Sequence, residues 1–142
     1  MTPPLVAGFG SVVADVLMLA DSVALDLKNH VSHQAIQVGG VVPTALIVLS
    51  RLGVATQLHT AIGDDLFGDA LLALFKKENI GLGKIVRGEK TETPLAFVVI
   101  HKKTGHRTSF YTTGAFPNIS PVAFSDALDT RTTHLLIDGH NS

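Results

Sequence analysis

Apolar and polar positions fall into blocks along this chain, and the blocks change period. "PLVAGFGSVVADVLML" (residues 4–19) is dense in Val and Leu and broken by glycines, the texture of a buried strand running on into a second one. "HQAIQVG" (33–39) is a shorter strand candidate that ends at a glycine pair. From Thr44 to Leu52 apolar residues recur with few polar interruptions, which predicts a buried helix stopped by Gly53. "ATQLHTAIG" (55–63) has strand character. "DDLFGDALLALFKKEN" (64–79) follows as an amphipathic helix, acidic in its opening turn and basic at Lys76 and Lys77, as the helix dipole favours.

Beyond that helix the texture shifts. "PLAFVVIHKKTGHRTSFYTTGA" (94–115) reads as two strands about the turn "KKTGH", a β-hairpin. "SDALDT" (125–130) is a candidate helical turn, and "THLLIDG" (133–139) is one more apolar strand. Alternating strands and helices imply an α/β fold on a parallel sheet with right-handed crossovers. The hairpin stands outside that alternation, as an appendage would. No repeat, low-complexity tract or linker interrupts the chain.

Composition narrows the partners. With 142 residues, 46% hydrophobic and 16% charged, the chain holds one domain's worth of core and is far from the disordered class. A net charge of −1 without a basic stripe leaves no footprint for nucleic acid. Cysteine is absent, which excludes disulfides and thiolate chemistry. The N-terminus lacks the pattern of a signal peptide, and no apolar run approaches the ~20 residues of a membrane helix. These features predict a soluble cytoplasmic protein that binds neither nucleic acid nor membrane.

Several chemical signals are weak on inspection. Gly8-Phe9-Gly10 supplies half of a G-x-G-x-x-G fingerprint, but Val13 stands at the third position and "SVVADVLML" reads as strand, so a nicotinamide or flavin site is not expected. His30 and His33, like His101 and His106, have no acidic residue spaced to complete a metal set. Asp64, Asp65 and Asp69 suit the start of a helix better than a calcium loop, which needs alternating oxygen ligands. No metal site is expected.

"GGVVPTALIVLSRLG", followed ten residues later by the glycine of "IGDDLFG", resembles the N-terminal signature of the ribokinase-like (PfkB) carbohydrate kinases. "GFGSVVAD" is similar to that family's opening strand with its substrate-binding acid. The segment 93–115 is similar to its lid hairpin, and "HLLIDG" to a following core strand. The resemblance covers essentially the whole chain. It implies a Rossmann-type three-layer α/β sandwich with a β-hairpin lid, whose lid strands span about 11–38 and 93–113. It further implies phosphoryl transfer from ATP, with Mg2+, to a sugar hydroxyl.

The site residues that the resemblance implies are Asp15, Gly39, Gly40, Thr44, Ala96, Val98, Tyr111 and His140. Asp15 matches the acid that grips sugar hydroxyls, since an ionised carboxylate accepts two such bonds at once; its plain alternative is a turn cap. Gly39 and Gly40 match a pair whose missing side chains let sugar approach the backbone. Three positions depart from ribokinase itself. Thr44 replaces an asparagine, Val41 replaces a lysine, and His140 falls where a glutamate is found. A site built for one hydroxyl pattern discriminates by leaving groups unpaired, so ribose is not the expected sugar.

In this family the hairpin covers the sugar and excludes water. Strand alternation sets Ala96 and Val98 on one face, with Tyr111 opposite them on the return strand. Tyr111 either meets the sugar or packs in a lid–lid dimer contact. Arg107 suits a solvated turn better than an anionic substituent. Phe97, Val99 and Phe110 lie on the other face, where a second lid would cover them in a homodimer.

Family members also carry a later Gly-Ala-Gly-Asp segment, whose glycines form an anion hole and whose Asp is the base. No such segment occurs here. Residues 1–142 therefore read as the N-terminal sugar-binding part of a kinase, ending before the ATP-binding half. They are expected to carry no catalytic base, to bind no cofactor alone and to be inactive alone. A nucleoside kinase of the same family and a non-catalytic sugar-binding or dimerisation module are the alternatives.

Overall fold

A strand that is apolar on both faces and pairs on both edges makes the centre of a parallel sheet, and β1 (Leu5–Phe9) is such a strand. The computed structural model describes residues 4–88, 91–115 and 125–139. After β1 come β2 (Val13–Ala20), β3 (Val31–Gly39), α1 (Val41–Arg51), β4 (Ala55–Ala61), α2 (Leu66–Lys77), β5 (Gly81–Val86), β6 (Leu95–His101), β7 (Arg107–Tyr111) and β8 (Thr132–Ile137). They build two four-stranded sheets, ordered β5-β4-β1-β8 and β3-β2-β6-β7. All pairings in the first sheet are parallel. In the second, β2 pairs antiparallel with β3 and parallel with β6.

The hairpin is thus no separate appendage. β6 and β7 complete a sheet that β2 and β3 begin, and β6 owes its place to the whole length of β2, from Ala14 against Leu95 to Ala20 against His101. The predicted strands at 33–39 and 133–139 prove to be Val31–Gly39 and Thr132–Ile137.

Helix α1 starts three residues before the predicted Thr44. Gly40 is its N-cap at φ 101°, and a Cβ there would strike the Ser11 carbonyl, so the turn requires glycine. Pro43 fits because its missing N–H falls in the first turn, where no intrahelical acceptor waits. The far end closes as predicted at Gly53, φ 84°. The Gly53 N–H donates to Ser50 O at 2.9 Å and that of Val54 to Leu49 O at 3.0 Å, the paired bonds of a Schellman motif. In α2 the cap is Asp65, which accepts from the Gly68 N–H at 2.8 Å, and the terminator is Asn79 at φ 56°.

Val42 and Leu46 of α1 occupy the space above Gly8, while Leu71 and Phe75 of α2 join the same core with Leu58 and Ile62. Helix α1 is rich in β-branched residues of modest propensity and depends on this burial, whereas the Leu, Ala and Lys of α2 also favour the helix intrinsically. On the other face of the sheet, Phe9 stacks on His59 with ring centroids 4.6 Å apart.

Strand β5, "GLGKIV", is one that pattern reading does not detect. Its two glycines weaken strand propensity, and their reason is tertiary. A Cβ at Gly83 would run into the His59 imidazole, and one at Gly81 would lie 2.8 Å from Thr56 O.

His59 is fully buried, and Nδ1 accepts from the Lys84 N–H at 3.0 Å while Nε2 meets Gln57 Oε1 at 3.1 Å. The first bond requires a bare Nδ1, so the ring is neutral with its proton on Nε2. Burial pushes its pKa below the ordinary value. The unfolded chain then binds more protons than the folded one as pH falls below about 6.5, and stability is lost in that direction. Denaturant midpoints should fall from pH 7.5 to pH 5. His59→Leu should be less stable at pH 7.5 and show a shallower slope; an unchanged slope would place the titrating group elsewhere.

Candidate functional site

Strand registers decide which candidate residues share a surface. In the second sheet Asp15 pairs with Gln37 on one side and with Ala96 on the other, and Ala96 pairs with Tyr111. Residues directly opposite point to the same face, so Gln37, Asp15, Ala96 and Tyr111 make one row across four strands. The next row on that face is Ala35, Leu17, Val98 and Ser109. Ala96 and Val98 are half-buried, and Tyr111 is 76% exposed.

The other face carries the row Ile36, Val16, Phe97 and Phe110, with Val99 in the row beyond. Ile36 is 45%, Phe97 36% and Phe110 64% exposed, a contiguous apolar strip.

Asp15 is half-buried at the end of β2 nearest the first sheet. Burial pushes its carboxyl above the ordinary value, and a hydrogen bond from the Gln37 side chain pulls it partly back. Gly39 is buried beneath it: a Cβ there would lie 2.5 Å from Asp15 Oδ1 and 2.7 Å from Oδ2. The room that Gly39 leaves is thus taken by the carboxylate. Gly40 is explained by its own dihedral and by the Ser11 carbonyl. Thr44 stands exposed in the first turn of α1, its N–H donating to Gly40 O at 3.2 Å.

His140 lies outside the described residues. Two residues earlier, Asp138 follows β8, and the Ser11 N–H donates to its Oδ1 at 3.5 Å. A Cβ at Gly10 would strike Asp138 Oδ2, so this half-buried acid closes against the start of the β1–β2 connection.

Gln37 and Asp138 are the two residues of this region that sequence reading passes over. Gln37 stands two places before Gly39, the parity that faces Asp15, but the ten-residue β2–β3 connection hides the register. Asp138 reads only as the end of an apolar strand. Among the described residues no group of three or more His, Asp or Glu side chains gathers as a metal site. No helix among them is long and apolar enough to cross a membrane.

Comparison with known proteins gives this surface its context. The profile of the pfkB family carbohydrate kinases matches residues 4–134. A provisionally named sugar kinase of Pyrococcus horikoshii is 30% identical over 94 residues, which are 66% of this chain and 29% of that protein. The solved ribokinase of Giardia lamblia superposes with a TM-score of 0.80 at 20% identity, over 99% of this chain and 46% of that one. The ribokinase of Cryptococcus neoformans, solved with ADP, gives 0.72 at 21% identity, over 99% and 42%. At such identities the two structures share the fold. The chain spans less than half the length of each of these proteins.

The glycine pair separates packing from strain. Gly39→Ala meets only the end of a movable side chain, so unfolding free energy should drop by less than about 1 kcal/mol as Asp15 shifts. Gly40→Ala meets a backbone carbonyl at positive φ and should cost about 1–3 kcal/mol. Denaturant titration of both variants decides it: equal losses would refute the distinction.

Proposed function

The chain belongs to the pfkB family of carbohydrate kinases, and from that premise we propose that its gene product transfers a phosphoryl group from ATP to a hydroxyl of a small sugar. One observation carries the choice of acceptor site. Asp15 is a half-buried carboxylate, seated over Gly39 and lined up with Gln37, Ala96 and Tyr111 on one face of the second sheet.

An ionised carboxylate offers acceptors only, and sugar hydroxyls are donors that can bridge both oxygens. Gln37 orients the carboxylate from one side and can present its free amide valences to the same ligand. Ala96 and Val98 give an apolar floor of the kind that sugar C–H faces pack on, and Tyr111 is exposed at its edge. With sugar bound, the second sheet excludes water from the hydroxyl that reacts. Gly39 and Gly40 link this row to α1, and Thr44 of that helix and His140 are further candidates for sugar contact. Thr44 in place of asparagine alters the hydroxyl pattern read there, which argues against ribose as the acceptor.

The residues named here bind and orient the acceptor. The base and the anion hole belong, on this reading, to the Gly-Ala-Gly-Asp segment that the family carries and that these 142 residues lack. Phosphoryl transfer depends almost wholly on positioning and charge stabilisation around the γ-phosphate, so the 142 residues alone should form no sugar phosphate. Among the described residues no group of three or more His, Asp or Glu side chains gathers to hold Mg2+. A cytoplasmic setting fits a kinase drawing on ATP.

The apolar strip of Ile36, Phe97 and Phe110 supports a second copy of the same sheet as its cover, making a homodimer. Phe97→Asp should convert a dimer in sedimentation to monomer and raise the sugar KM. A monomeric parent protein would show that the sheet closes alone.

Asp15→Asn tests the acceptor site in the complete gene product, assayed against pentoses, hexoses and nucleosides. Each lost charge-assisted bond should cost about 1.5–3 kcal/mol, a drop in kcat/KM of roughly ten- to a hundredfold. A carboxylate whose folded pKa is raised costs stability at neutral pH, and the cost fades as pH falls through that pKa. The variant should therefore melt no lower than the parent. Unchanged kinetics on every accepted substrate would refute the role, and turnover of nucleosides alone would replace sugar by nucleoside.

A further inference from the structure

The two legs of the β6–β7 hairpin stand on one short segment, residues 91–94. Glu92 and Ala115 form an isolated bridge, and a Cβ at Gly114 would press on Glu92 O and Pro94. Pro94 O in turn accepts from the Ala14 N–H at 2.9 Å, beside Asp15. What holds this segment to the first sheet is the loop before α2.

Asp65 caps α2 through the Gly68 N–H and also grips Thr93. Oδ2 accepts the Thr93 N–H and Oδ1 the Thr93 hydroxyl, each at 2.8 Å. The same hydroxyl oxygen accepts from the Gly63 N–H at 3.1 Å, and Thr93 is only 4% exposed. Thr91 adds a second tier, accepting from the Asp64 N–H at 3.2 Å and from the Gly88 N–H at 3.1 Å. Arg87 braces the loop, bonding Gly63 O at 3.2 Å and pairing with Asp64 and Asp69.

Helix capping needs one acceptor contact, to Gly68. The two bonds to Thr93 exceed that need, and a buried threonine committed on both its N–H and its hydroxyl does not slide. We infer that Asp65 and Thr93 form a clamp that sets the seat of the β6–β7 hairpin, making Asp65 a positioning residue for the Asp15–Ala96–Tyr111 row. The inference rests on the reading of that sheet as the cover of the acceptor site.

Thr93→Val removes the hydroxyl at almost constant volume, Thr93→Ser restores it, and Asp65→Asn keeps an acceptor for the cap. Amide hydrogen exchange in the complete gene product reads the clamp without any substrate. In Thr93→Val, amides of residues 95–101 and 107–111 should exchange at least about fivefold faster while those of 5–9 and 55–61 hold their rates. Sugar KM should rise roughly tenfold with kcat changed by less than about threefold, the mark of lost ground-state positioning. Asp65→Asn should follow the same direction, and Thr93→Ser should return both readouts to parent values. Equal acceleration in both sheets would reduce the clamp to plain stability, and unchanged exchange in the hairpin would overturn it. If the parent phosphorylates no acceptor, the kinase reading fails, and the exchange pattern still decides the clamp.

Discussion

Three carboxylates where the two sheets meet occupy volume that a side chain would need at a glycine: Asp15 over Gly39, Asp138 over Gly10, and Asp65 over Gly63. Asp15 does this within the second sheet, whereas Asp138 accepts from the Ser11 N–H ahead of β2 and Asp65 bonds Thr93 of the segment that leads into β6. Among the described residues no strand of one pairs with a strand of the other, so the sheets meet through packed side chains and chain crossings, and each crossing must bring backbone within reach of a polar partner. A β-carbon at Gly10 or Gly63 would press on the carboxylate at a crossing, whereas one at Gly39 would meet the movable end of Asp15 inside the second sheet. The first sheet, with α1 and α2 packed through Val42, Leu46, Leu71 and Phe75, is the rigid base. The second sheet joins that core through Ala14, Val38 and Leu95, with Val12 just ahead of β2, and the polar contacts of Asp65 and Asp138 add to it.

Much of the base was legible because its signals are local. Hydrophobic period and the Gly53 terminator delimit α1 at its end, and Asp65 with the two lysines delimits α2. The start of α1 lies three residues before the pattern places it because no capping side chain marks it; the turn is forced by Gly40 beneath Ser11 O. β5 escaped detection for a related reason. Gly81 and Gly83 weaken the strand pattern, and what they make room for, Thr56 and the His59 ring, lies on another strand. The faces of the hairpin could be assigned by alternation alone. That β6 lies along β2 could not, since a parallel neighbour 81 positions away leaves no local trace.

The same limit applies to the site. The family resemblance points to Asp15 and the glycine pair and implies a role for each, but not how they sit against one another. Gly39 was expected to admit a ligand to the backbone, and the structure fills that space with the Asp15 carboxylate. Gln37 and Thr93 are polar residues in polar surroundings and stand out only once the register sets them beside an acid. Asp65 was read as a helix-start acid, which it is; its hold on Thr93, 28 positions on, belongs to the fold.

Asp15 and Asp65 also show how environment divides work between like groups. Burial acts to raise both. At Asp65 the bonds from Thr93, Gly68 and Phe67 together outweigh burial and hold the carboxyl below its ordinary range. That charge is used up internally, and it stabilises the fold at every pH above the carboxylate range, fading only as pH falls through the depressed value. At Asp15 a single side-chain partner, Gln37, does not offset the loss of water, and the carboxyl stays raised. A folded chain that keeps an under-compensated carboxylate at the mouth of a sheet bears its cost continuously, with no structural return visible in the core. On the proposed reading that cost is recovered when donors arrive from outside, and a ligand rich in hydroxyls would supply them without adding charge. Two aspartates linked through Thr93, Pro94 and Ala14 thus differ in how fully their charge is compensated, Asp65 by several donors and Asp15 by Gln37 alone among the side-chain partners that offset its burial.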